Sequence, residues 1–194
     1  MRVFVAMEVP EEVKGKIREF VAKMERECAG TRGARWARVE GIHVTLKFIG
    51  EIPAEKVERI KKELEGVRSA AAVEMNFRGV GFCPNAKHPR VFWAGIEASP
   101  NLTELAAEIE TRMERLGIPR EGRAFRPHLT LARFKSEEGL PKLREAMEKA
   151  GTMEFGGTKS SEIHLFESKL LRGGAVYSKL ATFSLAGDGN ARQD

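Results

Sequence analysis

Ile42-His43-Val44-Thr45-Leu46 in the first half of the chain returns as Pro127-His128-Leu129-Thr130-Leu131 in the second. Both stretches read His, apolar, Thr, Leu. Alternating polar and apolar residues predict a β-strand, whose successive side chains point to opposite faces. His43 and Thr45 then share one face, and Ile42, Val44 and Leu46 the other. The same alternation pairs His128 with Thr130. Each strand offers an imidazole and a hydroxyl on its polar face and an apolar back to packing helices. Two such strands facing each other would line one cleft. A single copy is explained as well by polar residues on a half-exposed strand. A second copy in the same phase is not.

In-line displacement at phosphorus needs one group to take a proton from the attacking oxygen and another to give one to the leaving oxygen. Histidine suits both tasks, because its ordinary pKa of about 6.5 lets one imidazole stay neutral while its partner is protonated. The hydroxyls of Thr45 and Thr130 can donate hydrogen bonds to the non-bridging phosphate oxygens. This set is complete without a metal. His-x-Thr supplies one good ligand per strand, and no Cys, Asp or second His stands at ligand spacing nearby. The chain has no Gly-x-x-x-x-Gly-Lys stretch to cradle a nucleotide phosphate, and no cofactor is expected.

Outward from the two motifs, helix-like and strand-like segments alternate along the chain, which reads as α+β. Pro10 opens a segment with Val13, Ile17, Phe20, Val21, Met24 and Cys28 at helical spacing. A second helix follows Pro53, with Val57, Ile60, Leu64 and Val67 on one face. A third begins near Ser99-Pro100, turns Leu102, Leu105, Ile109, Met113 and Leu116 inward, and stops at Gly117. A shorter fourth runs to about Gly151. Strands are expected at 2–9, 34–39, 42–49, 72–82, 90–97, 126–134, 161–170 and 175–185. Residues 1–186 read as a single domain, and 187–194 as a polar tail that frays.

The 194 residues carry 42% hydrophobic and 31% charged side chains, as a soluble globular chain does. No apolar run approaches the roughly 20 residues that cross a bilayer. The N-terminus, Met1 to Glu8, meets an acidic residue too early for a secretory signal, and two cysteines, Cys28 and Cys83, make no disulfide framework. A cytoplasmic setting and no membrane association follow as expectations. Thirty-three basic against 28 acidic residues leave a formal charge of +5, which suits a polyanionic partner and an ordinary solvated surface equally.

The two motifs and their flanks resemble the 2′-5′ RNA ligase or RNA 2′,3′-cyclic phosphodiesterase family of the two-histidine phosphoesterases. Arg35-Trp36 leads into Gly41 to Glu51, and Pro89-Arg90-Val91-Phe92-Trp93-Ala94-Gly95 follows. Phe125 to Arg133, Leu165-Phe166-Glu167-Ser168 and Tyr177 complete the order. The likeness covers roughly residues 1 to 185; Cys83 departs from it, standing where an aromatic residue is more usual. It implies a bilobal fold of two similar α+β halves, each giving one motif strand to a central cleft. It also implies that His43 is the acid toward the leaving 3′ oxygen and His128 the base toward water, although the two motifs are chemically equivalent by themselves. The expected substrate is RNA ending in a 2′,3′-cyclic phosphate, cleaved tRNA included, acted on by a monomer. Joining of RNA ends through 2′-5′ linkages and non-catalytic RNA binding are the alternatives. Water at about 55 M favours hydrolysis over joining unless binding holds two ends together, and a binding module would not need both histidines.

The resemblance places Arg133 where the family can hold phosphate, yet strict alternation from His128 turns Arg133 to the apolar back. Arg126 has the favourable phase and is the second candidate. Phe48 resembles a family aromatic that can stack on a nucleobase, but its phase also fits the core. Lys47 shares the phase of His43. Trp36 and Trp93 read as core or rim. His88, in a turn-like stretch, and His164, with no threonine after it, stay outside the catalytic set.

Overall fold

The apolar stripes read from the sequence fold inward, and each helix buries the residues its spacing marks. The computed structural model describes residues 1–27, 33–85, 87–136, 140–150, 152–172 and 174–186. Cys28, the Gly151 boundary and the 187–194 tail lie outside them. Along the chain come β1 (Arg2–Glu8), α1 (Glu11–Glu27), β2 (Ala34–Trp36), a 3-10 turn (Val39–Gly41), β3 (His43–Glu51), α2 (Lys56–Leu64), β4 (Val73–Cys83) and β5 (Val91–Ala98). They are followed by α3 (Asn101–Arg115), β6 (His128–Phe134), α4 (Leu140–Ala150), β7 (Glu154–Ser160), β8 (Glu162–Leu171) and β9 (Gly174–Ser184).

Two antiparallel sheets result, ordered β3-β1-β8-β9 and β2-β6-β5-β4-β7. In each, the motif strand pairs with the strand that precedes it by one helix: β3 with β1, and β6 with β5. The helices lace the two halves together, α1 lying against β7 and α4, and α3 against β3 and α2. One apolar core draws side chains from both sheets, each fully buried Leu, Ile or Phe contributing about 1.5–3 kcal/mol. Gly117, at φ 72°, ends α3 as expected. The Ile118 N–H reaches back to the Met113 carbonyl at 3.1 Å, as a left-handed cap requires.

Two expectations need correction. The strand foreseen at 34–39 stops at Trp36 and gives way to the 3-10 turn. A ninth strand, β7, occupies Glu-Phe-Gly-Gly-Thr-Lys-Ser, where none was foreseen. Its adjacent glycines remove the alternating side chains by which a strand is recognised, and its pairing to β4 makes it a strand.

The register of the motif strands decides what reaches the cleft. Thr45 pairs with Ala6, but Lys47 pairs with Val5, so Leu46 is an extra residue in β3. Thr130 pairs with Trp93 and Ala132 with Phe92, so Leu131 is an extra residue in β6. Each strand therefore bulges at the third residue after its histidine. A bulge puts two consecutive residues on one side and inverts the alternation beyond it. Leu46 and Lys47 are both buried, as are Leu131 and Ala132, while Phe48 and Arg133 emerge.

Candidate active site

Both histidines begin their strands and are held alike. His43 Nδ1 lies 2.8 Å from the Gly41 carbonyl, and His128 Nδ1 lies 2.8 Å from the Arg126 carbonyl. A carbonyl only accepts, so each Nδ1 carries the proton and each Nε2 is left for chemistry. The residues opposite them differ. Glu8 faces His43 in register, and Gly95 faces His128. A Cβ at Gly95 would come within 2.6 Å of the Arg78 carbonyl, so no side chain fits there.

The surroundings of His43 are aromatic. Its ring stacks on Phe4 with centroids 4.4 Å apart and meets the Tyr177 edge at 5.0 Å. Phe4 stacks in turn on Phe166 at 5.4 Å and touches Phe48 at 5.9 Å. Phe4, Ala6 and Phe166 form a small cluster separate from the main core. Gly41 permits this closeness, because a Cβ there would meet the Tyr177 ring at 3.0 Å. Burial pushes the His43 pKa below its ordinary value. The Gly41 carbonyl opposes the shift and the Lys14 charge adds to it. Phe48, open in the sequence between core and stacking, is 55% exposed on the histidine side.

The surroundings of His128 are open and cationic. Arg133, which strict alternation sends to the apolar back, is exposed on the face of His128 and Thr130 because Leu131 inverts the phase. Arg35 of β2 is its register partner, also exposed. Arg126 is exposed just before the strand. Trp93 is half-buried opposite Thr130, and Trp36 packs its ring edge-on against Phe92. Thr45 and Thr130 are half-buried, each two residues beyond its histidine.

The same inversion corrects Lys47. Expected on the face of His43, it is 4% exposed, and its ammonium donates to the Glu110 carboxylate and the Pro119 carbonyl, both at 2.7 Å. Lys47 ties β3 to α3 and takes no part in the cleft.

A cleft of about 410 Å³ opens beside His43, with Lys14, Arg38, Tyr177 and Lys179 in its wall. His128 is not part of that wall, although β3 and β6 approach one another. Four residues of this region, Phe4, Glu8, Lys14 and Arg38, carry no motif and were missed from the sequence. His164 was set aside, yet it is buried next to this region. Its Nδ1 is 2.9 Å from the Thr182 hydroxyl and its Nε2 3.5 Å from the Glu8 carboxylate. Burial lowers its pKa, and Lys179 adds to the shift against the pull of Glu8. Glu8 accepts from Lys179 at 2.8 Å, which holds its carboxyl below the usual range.

Two sheets of matching connectivity, each opening a motif strand with a backbone-tethered histidine, define the two-histidine phosphoesterase class. The chain belongs to the LigT-like phosphoesterase family, whose pattern it matches over residues 7–93 and 96–177. It is 32% identical over 183 residues to the RNA 2′,3′-cyclic phosphodiesterase of Archaeoglobus fulgidus, covering 94% of this chain and 99% of that one. It is 32% identical over 177 residues to the protein of the same name from Methanocaldococcus jannaschii, covering 91% and 96%. The crystal structure of TT0787 of Thermus thermophilus superposes with a TM-score of 0.77 at 30% identity, over 97% of this chain and 100% of that one.

Proposed function

We propose that this protein is an RNA 2′,3′-cyclic phosphodiesterase that opens terminal cyclic phosphates, those of cleaved tRNA among them, to 2′-phosphates by metal-independent acid-base catalysis. The matched tethering of His43 and His128 carries this reading, since both rings present Nε2 from the same position of equivalent strands. The names of the relatives from Archaeoglobus and Methanocaldococcus support the substrate. His128 takes a proton from water as its oxygen attacks phosphorus. The bond from phosphorus to O3′ breaks, and His43 gives its proton to O3′. A 2′-phosphate and a 3′-hydroxyl remain.

The lowered pKa of His43 makes it the stronger acid once charged, and the bound anion favours that charge. Thr45 and Thr130 donate to the non-bridging oxygens, and the guanidinium of Arg133, with Arg126 as second candidate, holds their charge. Phe48 offers an exposed face to the terminal base. Among the described residues, no three His, Cys, Asp or Glu side chains stand together as a metal site. Also among the described residues, no helix is long and apolar enough to cross a membrane.

The test is end-labelled RNA carrying a 2′,3′-cyclic phosphate, incubated with and without EDTA, with product ends identified. Formation of a 2′-phosphate at equal rates in both is expected. No turnover would sink the reading, and loss on chelation restored by one added ion would sink its metal independence.

A further inference from the structure

Two arginines next to the cleft are placed at a cost that the fold does not explain. Arg35 and Arg133 are direct register partners on β2 and β6. Side chains so paired start about 4.5–5.5 Å apart, and like charges there repel. Among the described residues no carboxylate relieves either one. Arg35 also converges with Arg38. Arg35 Nη2 and Arg38 Nε each lie 3.7 Å from the point where a side chain on Gly174 would begin. Arg38 belongs in turn to the wall of the cleft beside His43.

The acidic groups of that wall are already engaged. Glu8 holds Lys179, and Glu40 accepts from Arg18 at 3.3 Å. Lys14 directs its ammonium to the Glu40 backbone carbonyl at 3.2 Å, which leaves its charge uncompensated. A line of cations therefore runs from Arg133 through Arg35 to Arg38 and Lys14. A guanidinium pair of this kind matches a phosphate with parallel hydrogen bonds, and a bound anion removes the repulsion.

We propose that Arg35 and Arg38, converging at Gly174 between Arg133 and the cleft beside His43, form a second phosphate subsite that takes the phosphodiester on the 5′ side of the terminal nucleotide. The enzyme thereby selects RNA ends over free cyclic mononucleotides. This rests on the cyclic phosphodiesterase reading, in which Arg133 holds the terminal phosphate. A mononucleotide has no second phosphate and leaves the subsite empty.

The experiment compares a 2′,3′-cyclic mononucleotide with a short oligonucleotide ending in the same group, for the parent protein, Arg35→Ala, Arg38→Ala and Arg38→Lys. For the oligonucleotide, KM should rise about tenfold in each alanine variant with kcat held, as loss of a charged hydrogen bond implies, and Arg38→Lys should restore part of it. Mononucleotide kinetics should not move. Equal losses on both substrates, or no change on either, overturn the subsite.

Binding of a labelled oligonucleotide ending in a 2′-phosphate reads the subsite without turnover. The slope of log affinity against log salt should shrink by about 0.7 in Arg35→Ala, the value for one single-stranded phosphate contact. An unchanged slope overturns the proposal. If the parent hydrolyses neither substrate, the phosphodiesterase reading fails while this binding result still decides the subsite. Arg35→Ala should also melt no lower than the parent, since it removes a like-charge pair. A clear fall in melting temperature would make Arg35 a structural residue and overturn the assignment.

Discussion

The two motif strands share a backbone device and differ in everything placed around it. Each begins with a histidine tethered to the carbonyl two residues back, and each bulges three residues later. In the first half the residue brought out beyond the bulge is Phe48, paired with Phe4; in the second it is Arg133, paired with Val91. His43 is packed among aromatic rings, whereas His128 stands in the open beside arginines. A repeated backbone can thus carry two tasks: the aromatic half desolvates its histidine and offers a surface for a base, and the cationic half meets the phosphate.

The largest effects should come from what the halves have in common. His43→Ala and His128→Ala should each lower turnover by about 10²–10⁴-fold while leaving the melting transition in place, since both lie outside the main core. Near-normal rates in either folded variant would break the equivalence of the two strands.

The residues beyond the bulges should separate the halves. Arg133→Ala should cost roughly 10- to 100-fold in kcat/KM and grow more sensitive to the phosphate than to the base, as loss of a charge-assisted hydrogen bond does. Phe48→Ala should raise KM by a stacking contribution of about 1–3 kcal/mol, with a dependence on base identity that Arg133→Ala lacks. If the two variants respond alike across a set of terminal bases, the division of tasks is wrong.

A smaller effect concerns the histidine that the aromatic half encloses. Burial holds the His43 pKa below about 6.5. As the acid it must be protonated, so kcat/KM should fall as pH rises through that lowered value. The corresponding limb of kcat should lie at higher pH, because the bound phosphate favours the charged ring. Tyr177→Ala, which opens the packing around His43, should move the kcat/KM limb upward. A shift confined to the acid limb would make His43 the base.

The smallest effect bears on stability. His164 is 2% exposed with a lowered pKa, so the unfolded chain takes up its proton first as pH falls. Its contribution is fully present above about pH 6.5 and is lost as pH falls through the folded value. Melting temperature followed from pH 7.5 to 5 should drop less steeply in His164→Gln. An equal slope in both proteins would show that the buried ring does not titrate across this range.

The sequence made the motifs, the helices and eight of the strands legible because period and apolar phase are local properties. Val13, Ile17, Phe20 and Met24 could be read as one face of α1 without knowing what they touch. The bulges could not, since Leu46 and Leu131 look like any apolar strand residue and only the partner strand reveals that each is unpaired. Lys47 was misassigned for this reason, and Arg133 was left with a chemistry that contradicted its phase. Phe4, Glu8 and Arg38 escaped notice because a stacking ring, a register partner and a converging charge exist only between segments distant in the chain.

A bulge acts on a strand as a phase shift acts on a wave: it leaves the signal before it intact and inverts everything after. The His-x-Thr segment can therefore be held fixed for chemistry while the residue five positions on differs freely, Phe in one copy and Arg in the other. Without Leu46, the ammonium of Lys47 would turn to solvent and the ring of Phe48 into the core, although no side chain of the catalytic segment had changed. One unpaired residue thus separates the shared grammar of each strand from its vocabulary.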